Sequence, residues 1–297
     1  EKRGGLERIG DLVLKLGSSI QGFREEVLGD LDKRLADATV SLSDDEVDPF
    51  GMDPKALYRT AIGASFLYKI YFRCVADGLE NIPETGPAIL VFNHRSYFDP
   101  IVMGLVIAKT GRNVRGLGKK EVFDVPLVGR LMKASGGIRV DRGTGSDEPL
   151  DAAIAAVEAG ELLMVAPEGT IPRGPAFFDP VLKGRWGAAR IAAATRAPVI
   201  PIGLWGTEKV WPRSARLPKF SLTDRPTVTA SVGPPVELKY RSPDADTKRI
   251  MKALSAQLPP EARKQRTPTP EELALPYPPG DHGDPEAELD RRPGTDT

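Results

Sequence analysis

Hydrophobic positions along the chain follow two rhythms. In the first, Leu6, Ile9, Val13, Leu16, Ile20, Phe23 and Val27 recur three and four residues apart, the spacing of one face of an amphipathic helix. Gly17, Ser18 and Ser19 weaken the stripe at its middle and predict a break into two helices. Residues 41–54 are acidic and carry Pro49, Gly51 and Pro54, the composition of a linker. Helical spacing returns over 55–73, where Leu57, Ala61, Ala64, Tyr68 and Tyr71 share a face between Lys55, Arg59, Lys69 and Arg73. Its aromatics are of the types favoured at a lipid interface, although a buried helix uses the same residues.

From residue 87 the second rhythm begins: apolar runs of strand length alternate with helical segments. Residues 87–92, 114–118, 137–141, 161–167, 198–206 and 227–233 are predicted strands. Residues 101–109, the neighbourhood of 126–134, 149–159 and 185–196 are predicted helices, with Gly160 terminating the third. Ser242-Pro243 has the form of an N-cap followed by proline at the first helical position, opening a helix to about residue 258. Alternating strands and helices predict an α/β fold with a largely parallel central sheet flanked by helices. The boundaries that follow are an amphipathic helical extension with its linker at 1–54, one domain at 55–258, and a tail at 259–297. That tail is rich in Pro and charge and poor in apolar residues, so it is expected to be mostly disordered.

Composition adds a charge pattern. The chain has 297 residues, 40% of them hydrophobic, enough for one sizeable core. Its formal net charge of zero hides a net of −5 over 1–50, +6 over 109–142, +6 over 168–219 and −4 over 259–297. A basic middle between acidic ends points to an anionic substrate or surface near the core, although most of these Lys and Arg residues serve to solvate exposed faces. Nothing in this pattern suggests a nucleic-acid partner. No run of about 18 apolar residues is present, so no transmembrane helix is predicted. The single cysteine, Cys74, excludes an internal disulfide and fits a reducing compartment. The first residue is Glu rather than Met, so any N-terminal targeting signal is expected to lie outside this chain.

The candidate chemistry sits at predicted strand ends. The 87–92 strand runs into Asn93-His94-Arg95-Ser96-Tyr97-Phe98-Asp99-Pro100, which places His94 where α/β folds build their sites. A neutral imidazole can take a proton from an attacking alcohol, and Asp99 can fix its tautomer through the other ring nitrogen. The same residues also read as a helix cap, with Asp99-Pro100 at the helix start and Ser96 in a capping box, beside a structural histidine. Gly136-Gly137-Ile138-Arg139-Val140-Asp141-Arg142 supplies two guanidiniums suited to phosphate, and Pro167-Glu168-Gly169-Thr170 follows the 161–167 strand with Arg173 and Lys183 downstream. The only histidines are His94 and His282, so no metal-ligand cluster is expected.

The order N-H-x4-D, G-G-I-R-V-D-R, P-E-G-T and V-I-P-I resembles the glycerolipid acyltransferase family, which includes lysophosphatidic acid and glycerol-3-phosphate acyltransferases. The resemblance covers about residues 70–235, including Gly78-Leu79-Glu80-Asn81-Ile82-Pro83 and the stretch from Lys119 to Gly129. It implies a single acyltransferase domain and assigns His94 as general base with Asp99 as its partner. It places Arg142 on the acceptor's phosphate, Glu168 and Gly169 (with Thr170 beside them) at the glycerol acceptor, and Pro201 on the acyl-donor side. Arg139 stands where this family often has an aromatic or aliphatic residue and implies an extra phosphate contact or a larger anionic head; Arg173 and Lys183 extend the anion-binding set. The implied partners are acyl-CoA or an acyl carrier protein thioester as co-substrate, a lysophospholipid and an anionic membrane surface. The implied location is peripheral or monotopic, at the cytoplasmic face of the membrane, with Trp205, Trp211 and Phe220 amid Lys209, Arg213, Arg216 and Lys219 as a candidate interfacial face. Another lyso-lipid or glycolipid acceptor, a non-catalytic lipid-surface protein and a thioesterase using water are the alternatives.

Overall fold

The computed structural model describes residues 72–124, 132–133, 135–140, 147–216, 218–219, 223, 225–278 and 280–281. Within them β1 (Arg73–Asp77), β2 (Ala88–Phe92), β3 (Val114–Lys119), β4 (Ile138–Val140), β5 (Leu162–Val165), β6 (Val199–Trp205) and β7 (Thr227–Val232) form one sheet in the order β1-β7-β6-β2-β5-β3-β4. Every pairing is parallel except β6 with β7. The helices are α1 (Asp99–Ala108), α2 (Lys120–Phe123), α3 (Glu148–Glu158), α4 (Gly187–Thr195), α5 (Thr207–Val210), α6 (Pro243–Ala256) and α7 (Pro270–Ala274). This is the α/β architecture that the alternation predicts.

Burial on both faces explains why the central strand reads as an unbroken apolar run rather than an alternating one. All five residues of β2 are buried. Ala88, Leu90 and Phe92 join Val102, Met103, Val106 and Ile107 of α1 in one cluster. Ile89 and Val91, one step along the pleat, join residues of α3, α4 and α6 in the other. Each side chain of this size contributes about 1.5–3 kcal/mol on burial, so the two layers clamp β2 as the rigid centre from which the site projects.

Local signals behave as their chemistry predicts. Gly160 ends α3 at φ 87°, with Glu161 N–H donating to the Ala156 carbonyl at 3.2 Å. Ser242 caps α6 by accepting Ala245 N–H at 3.3 Å. Gly78 is required for packing: a Cβ there would lie 2.0 Å from the Val232 carbonyl oxygen. Asn81 donates its amide to the same oxygen at 2.9 Å, so this turn is fastened to the end of β7.

Two expectations change. Residue 73 does not end a helix; it opens β1, an edge strand whose side chains alternate exposed and half-buried. RCVAD has no apolar run because only one face packs, and Phe72 just before it is buried, edge-on to Phe98 at 5.1 Å. The tail is ordered up to residue 281, apart from Pro279, which lies outside the described residues. A 3-10 turn spans Pro260–Arg263. A reciprocal capping box starts α7, with Thr269 accepting Glu272 N–H at 3.3 Å and Glu272 accepting Thr269 N–H at 2.9 Å. Local hydrogen bonding and the buried Tyr277 order a segment too polar to do so by hydrophobicity alone. The predicted helices of 6–27, the linker, residues 55–71 and 282–297 lie outside the described residues, as does all of 126–134 except 132–133.

Candidate active site

His94 follows β2, the middle strand, and Glu168 follows β5, its parallel neighbour in register Val91 to Val165. Parallel pairing puts both loops at the same sheet edge, the carboxyl end, where such folds open a crevice. Asn93 makes the exit from β2 rigid. Its side chain accepts Leu204 N–H at 2.7 Å and donates to the Leu204 carbonyl at 2.9 Å, extending the β2–β6 ladder by one step.

Asp99 is fully buried at the first turn of α1. Its Oδ2 accepts the backbone N–H of Arg95 at 2.6 Å and of Ser96 at 2.7 Å, and faces His94 Nδ1 at 2.7 Å. Backbone N–H groups can only donate, so Oδ2 is an acceptor and the ring nitrogen facing it carries the proton. Nε2 is then the basic nitrogen, on a ring whose side chain is 21% exposed. The capping-box alternative does not hold: Ser96 Oγ donates to the Trp211 carbonyl and accepts Phe98 N–H, not Asp99 N–H.

Glu168 reaches back across the crevice, its Oε1 accepting His94 N–H at 2.7 Å. Burial pushes its carboxyl up to about 8; the His94 N–H and Arg95 pull it down, and Asp99 adds a push upward. The protonated form is therefore favoured in the folded protein relative to the unfolded chain. That contribution to stability is complete below the unfolded carboxyl range near 4.5 and is lost as pH rises through about 8. Glu168→Gln keeps the acceptor oxygen and removes the ionisation. Its Tm is expected to fall less than that of the wild type between pH 5 and 9; equal slopes in thermal melts would place the ionisation elsewhere.

Thr170 and Lys183 share with Glu168 a pocket also lined by Pro172, Ala176, Asp179, Val181 and Leu182. Gly169, at φ 72°, lets the Arg185 side chain close over the loop, since a Cβ there would stand 2.7 Å from Arg185 Nε. Arg173, Arg139 and Pro201 do not line this pocket. Arg173 lies outside the pocket lining and pairs with Asp281 at 3.1 Å. Arg139 is on the edge strand β4, three inter-strand steps or about 14 Å across the sheet from β2, and lies 3.7 Å from Asp124. Pro201 is buried in β6 beside Val91, its carbonyl accepting Gly233 N–H at 2.8 Å. It precedes the first β6–β7 pair, where a missing N–H is tolerated. Arg142 lies outside the described residues.

Arg95 was not singled out from sequence, yet it is central. Its guanidinium is held between the rings of Phe177 at 4.1 Å and Trp205 at 4.4 Å, with Nε 3.3 Å from Glu208. Those partners are distant in sequence, so no local pattern announces them. Of the expected interfacial face, Trp205 is half-buried against Arg95, and Arg213 is buried and donates to the Ile171 carbonyl at 2.7 Å. Phe220 of that face lies outside the described residues. Among the described residues no helix is long and apolar enough to cross a membrane.

Residues 73–205 match a family model described as Acyltransferase. The chain is similar to an uncharacterised protein of Mycobacterium leprae (strain TN), 34% identical over 63% of this chain and 49% of that one. It is also similar to a chloroplastic 1-acyl-sn-glycerol-3-phosphate acyltransferase of Brassica napus, 30% identical over 48% of this chain and 40% of that enzyme. The crystal structure of the 1-acyl-sn-glycerophosphate acyltransferase of Thermotoga maritima aligns with a TM-score of 0.47 and 26% identity, covering 68% of this chain and 75% of that one. The chain spans about half the length of the curated relatives it matches.

Proposed function

Because residues 73–205 belong to the acyltransferase family, we propose that the protein transfers a fatty acyl group from an acyl thioester to the free hydroxyl of a lysophospholipid, 1-acyl-glycerol-3-phosphate foremost. The observation that carries this reading is the His94 Nδ1 contact with Asp99 at 2.7 Å, which leaves Nε2 as the base, on a residue whose backbone N–H binds Glu168 of the pocket that Thr170 and Lys183 also line. The acceptor oxygen attacks the thioester carbonyl while Nε2 removes its proton. The carbon–oxygen ester bond forms, the carbon–sulfur bond breaks, and His94 returns the proton to the departing thiolate. The thioester is already activated, so no covalent enzyme intermediate is needed, and the sequence has no G-x-S-x-G elbow. Glu168 in its acid form orients the acceptor with the oxygen not engaged by His94 N–H, and Lys183 meets the acceptor's anionic group. The relatives named for this activity support the acceptor, and either acyl-CoA or an acyl carrier protein thioester fits the donor role. The proposal includes a peripheral seat on the cytoplasmic face of an anionic membrane, for which Tyr97, 43% exposed and edge-on to Trp211, offers an aromatic contact of the interfacial type.

A panel of lyso-acceptors offered with one acyl-CoA tests the proposal. Diacyl product with lysophosphatidate above all others is expected. Preference for a lyso-aminolipid or glycolipid would replace the acceptor. Coenzyme A release at the full rate without acceptor would mark a thioesterase, and lipid binding without turnover of any donor a non-catalytic protein.

A further inference from the structure

The pocket's outer wall is the segment 172–183, and a part of the chain beyond the family match lies against it. Arg266 stands over the Phe178 ring at 4.7 Å and is itself held by Glu272 at 2.7 Å. Asp281 accepts from Arg173 at 3.1 Å, and the Leu275 carbonyl accepts Ser214 N–H at 3.1 Å. Tyr277 is 6% exposed between the last two contacts. The contacts continue inward. Phe178 meets Phe177 edge-on at 5.1 Å, and Phe177 stacks on Arg95 at 4.1 Å while its carbonyl accepts from the Arg95 guanidinium at 3.4 Å. Arg95 is the neighbour of His94 and shares Asp99 with it.

We propose that residues 264–278, together with Asp281, form a strap that positions the acceptor pocket, through Arg266 on Phe178 and Asp281 on Arg173. The strap touches neither His94 nor Asp99 in any of these contacts. It acts on the wall that receives the acceptor, so it sets acceptor affinity and selectivity and leaves the proton transfer alone. Arg173 thereby has a positioning role in place of the phosphate contact expected from sequence. The inference rests on the acyl-transfer reading for its kinetic consequence, and on geometry alone for its mechanical one.

Arg266→Ala and Tyr277→Ala in the full chain test it. Deuterium uptake of residues 172–183 is expected to accelerate about twofold to fivefold in Arg266→Ala, the worth of an exposed cation–π contact, and at least as much in Tyr277→Ala, which removes a buried ring. With the acceptor that the panel selects, KM should rise about threefold to tenfold with kcat within about twofold. A strap that merely covered apolar surface would lower Tm and leave KM unmoved. Unchanged uptake over 172–183, or a fall in kcat at constant KM, would overturn the proposal. Should Tyr277→Ala not fold, Arg266→Ala decides, because that side chain is 46% exposed. Absence of acyl transfer by the wild type with every acceptor would defeat the functional reading; the exchange measurement would still decide the strap.

Discussion

Replacing His94 by alanine is expected to lower kcat for acyl transfer by about 10²–10⁴-fold, the contribution of a positioned general base. The fold should survive. The ring is one-fifth exposed and touches Phe92 only edge-on, at 6.1 Å. The backbone N–H of residue 94, which carries the bond to Glu168, remains in the variant. Asp99 also keeps its two backbone donors. Stability should therefore fall by about 1–3 kcal/mol, the worth of the one charge-assisted hydrogen bond lost to Asp99 and within the ordinary range for single substitutions. Steady-state kinetics with a thermal melt on the same preparation check both parts. Wild-type kcat in the variant would remove His94 from the mechanism.

Asp99→Asn is expected to damage both activity and stability. One carboxylate oxygen holds three donors: two main-chain N–H groups that shape the loop and the imidazole N–H that fixes the tautomer. An asparagine can present only one acceptor oxygen there. Turned that way, it keeps the bonds without the charge that stabilises imidazolium as the proton moves. Turned the other way, its NH2 confronts two N–H donors in a site with no exposure. Loss of the correct tautomer and of that charge predicts a fall in kcat of about 10³–10⁴-fold. Weakened charge-assisted bonds predict a loss of about 1–3 kcal/mol in unfolding free energy. The double variant His94→Ala/Asp99→Asn should be no slower than the slower single, because the two residues act as a unit. Multiplicative losses would show that they act independently, and native kcat in Asp99→Asn would exclude it from the machinery.

The elements most legible in the sequence are those whose signals are local. The all-apolar run of β2, Gly160 after α3 and the Ser242-Pro243 opening of α6 each carry their cause within a few residues. The missed element, β1, is held by pairing with β7 more than 150 positions away, from Arg73 opposite Thr227 to Asp77 opposite Ser231. Order in the tail was missed for a related reason: Arg266 and Asp281 find their partners on the 172–178 segment, so composition alone reads as disorder.

For the candidate site the division is similar. The sequence by itself determined that His94 and Asp99 lie five residues apart at the end of a buried strand, and that Pro167-Glu168-Gly169-Thr170 ends another. Spacing and hydrophobic pattern are properties of the chain, so these needed no tertiary information. Only the tertiary structure decided that β2 and β5 are neighbours, which lets Glu168 bind the main chain of His94 and raises its carboxyl to about 8. Only it set Arg95 between Phe177 and Trp205, turned Arg173 toward Asp281, and left Arg139 on an edge strand. The physical reason is common to all four. A guanidinium or a carboxyl takes its role from the charge, ring or low-dielectric surroundings that folding brings to it, and those come from segments far away in sequence.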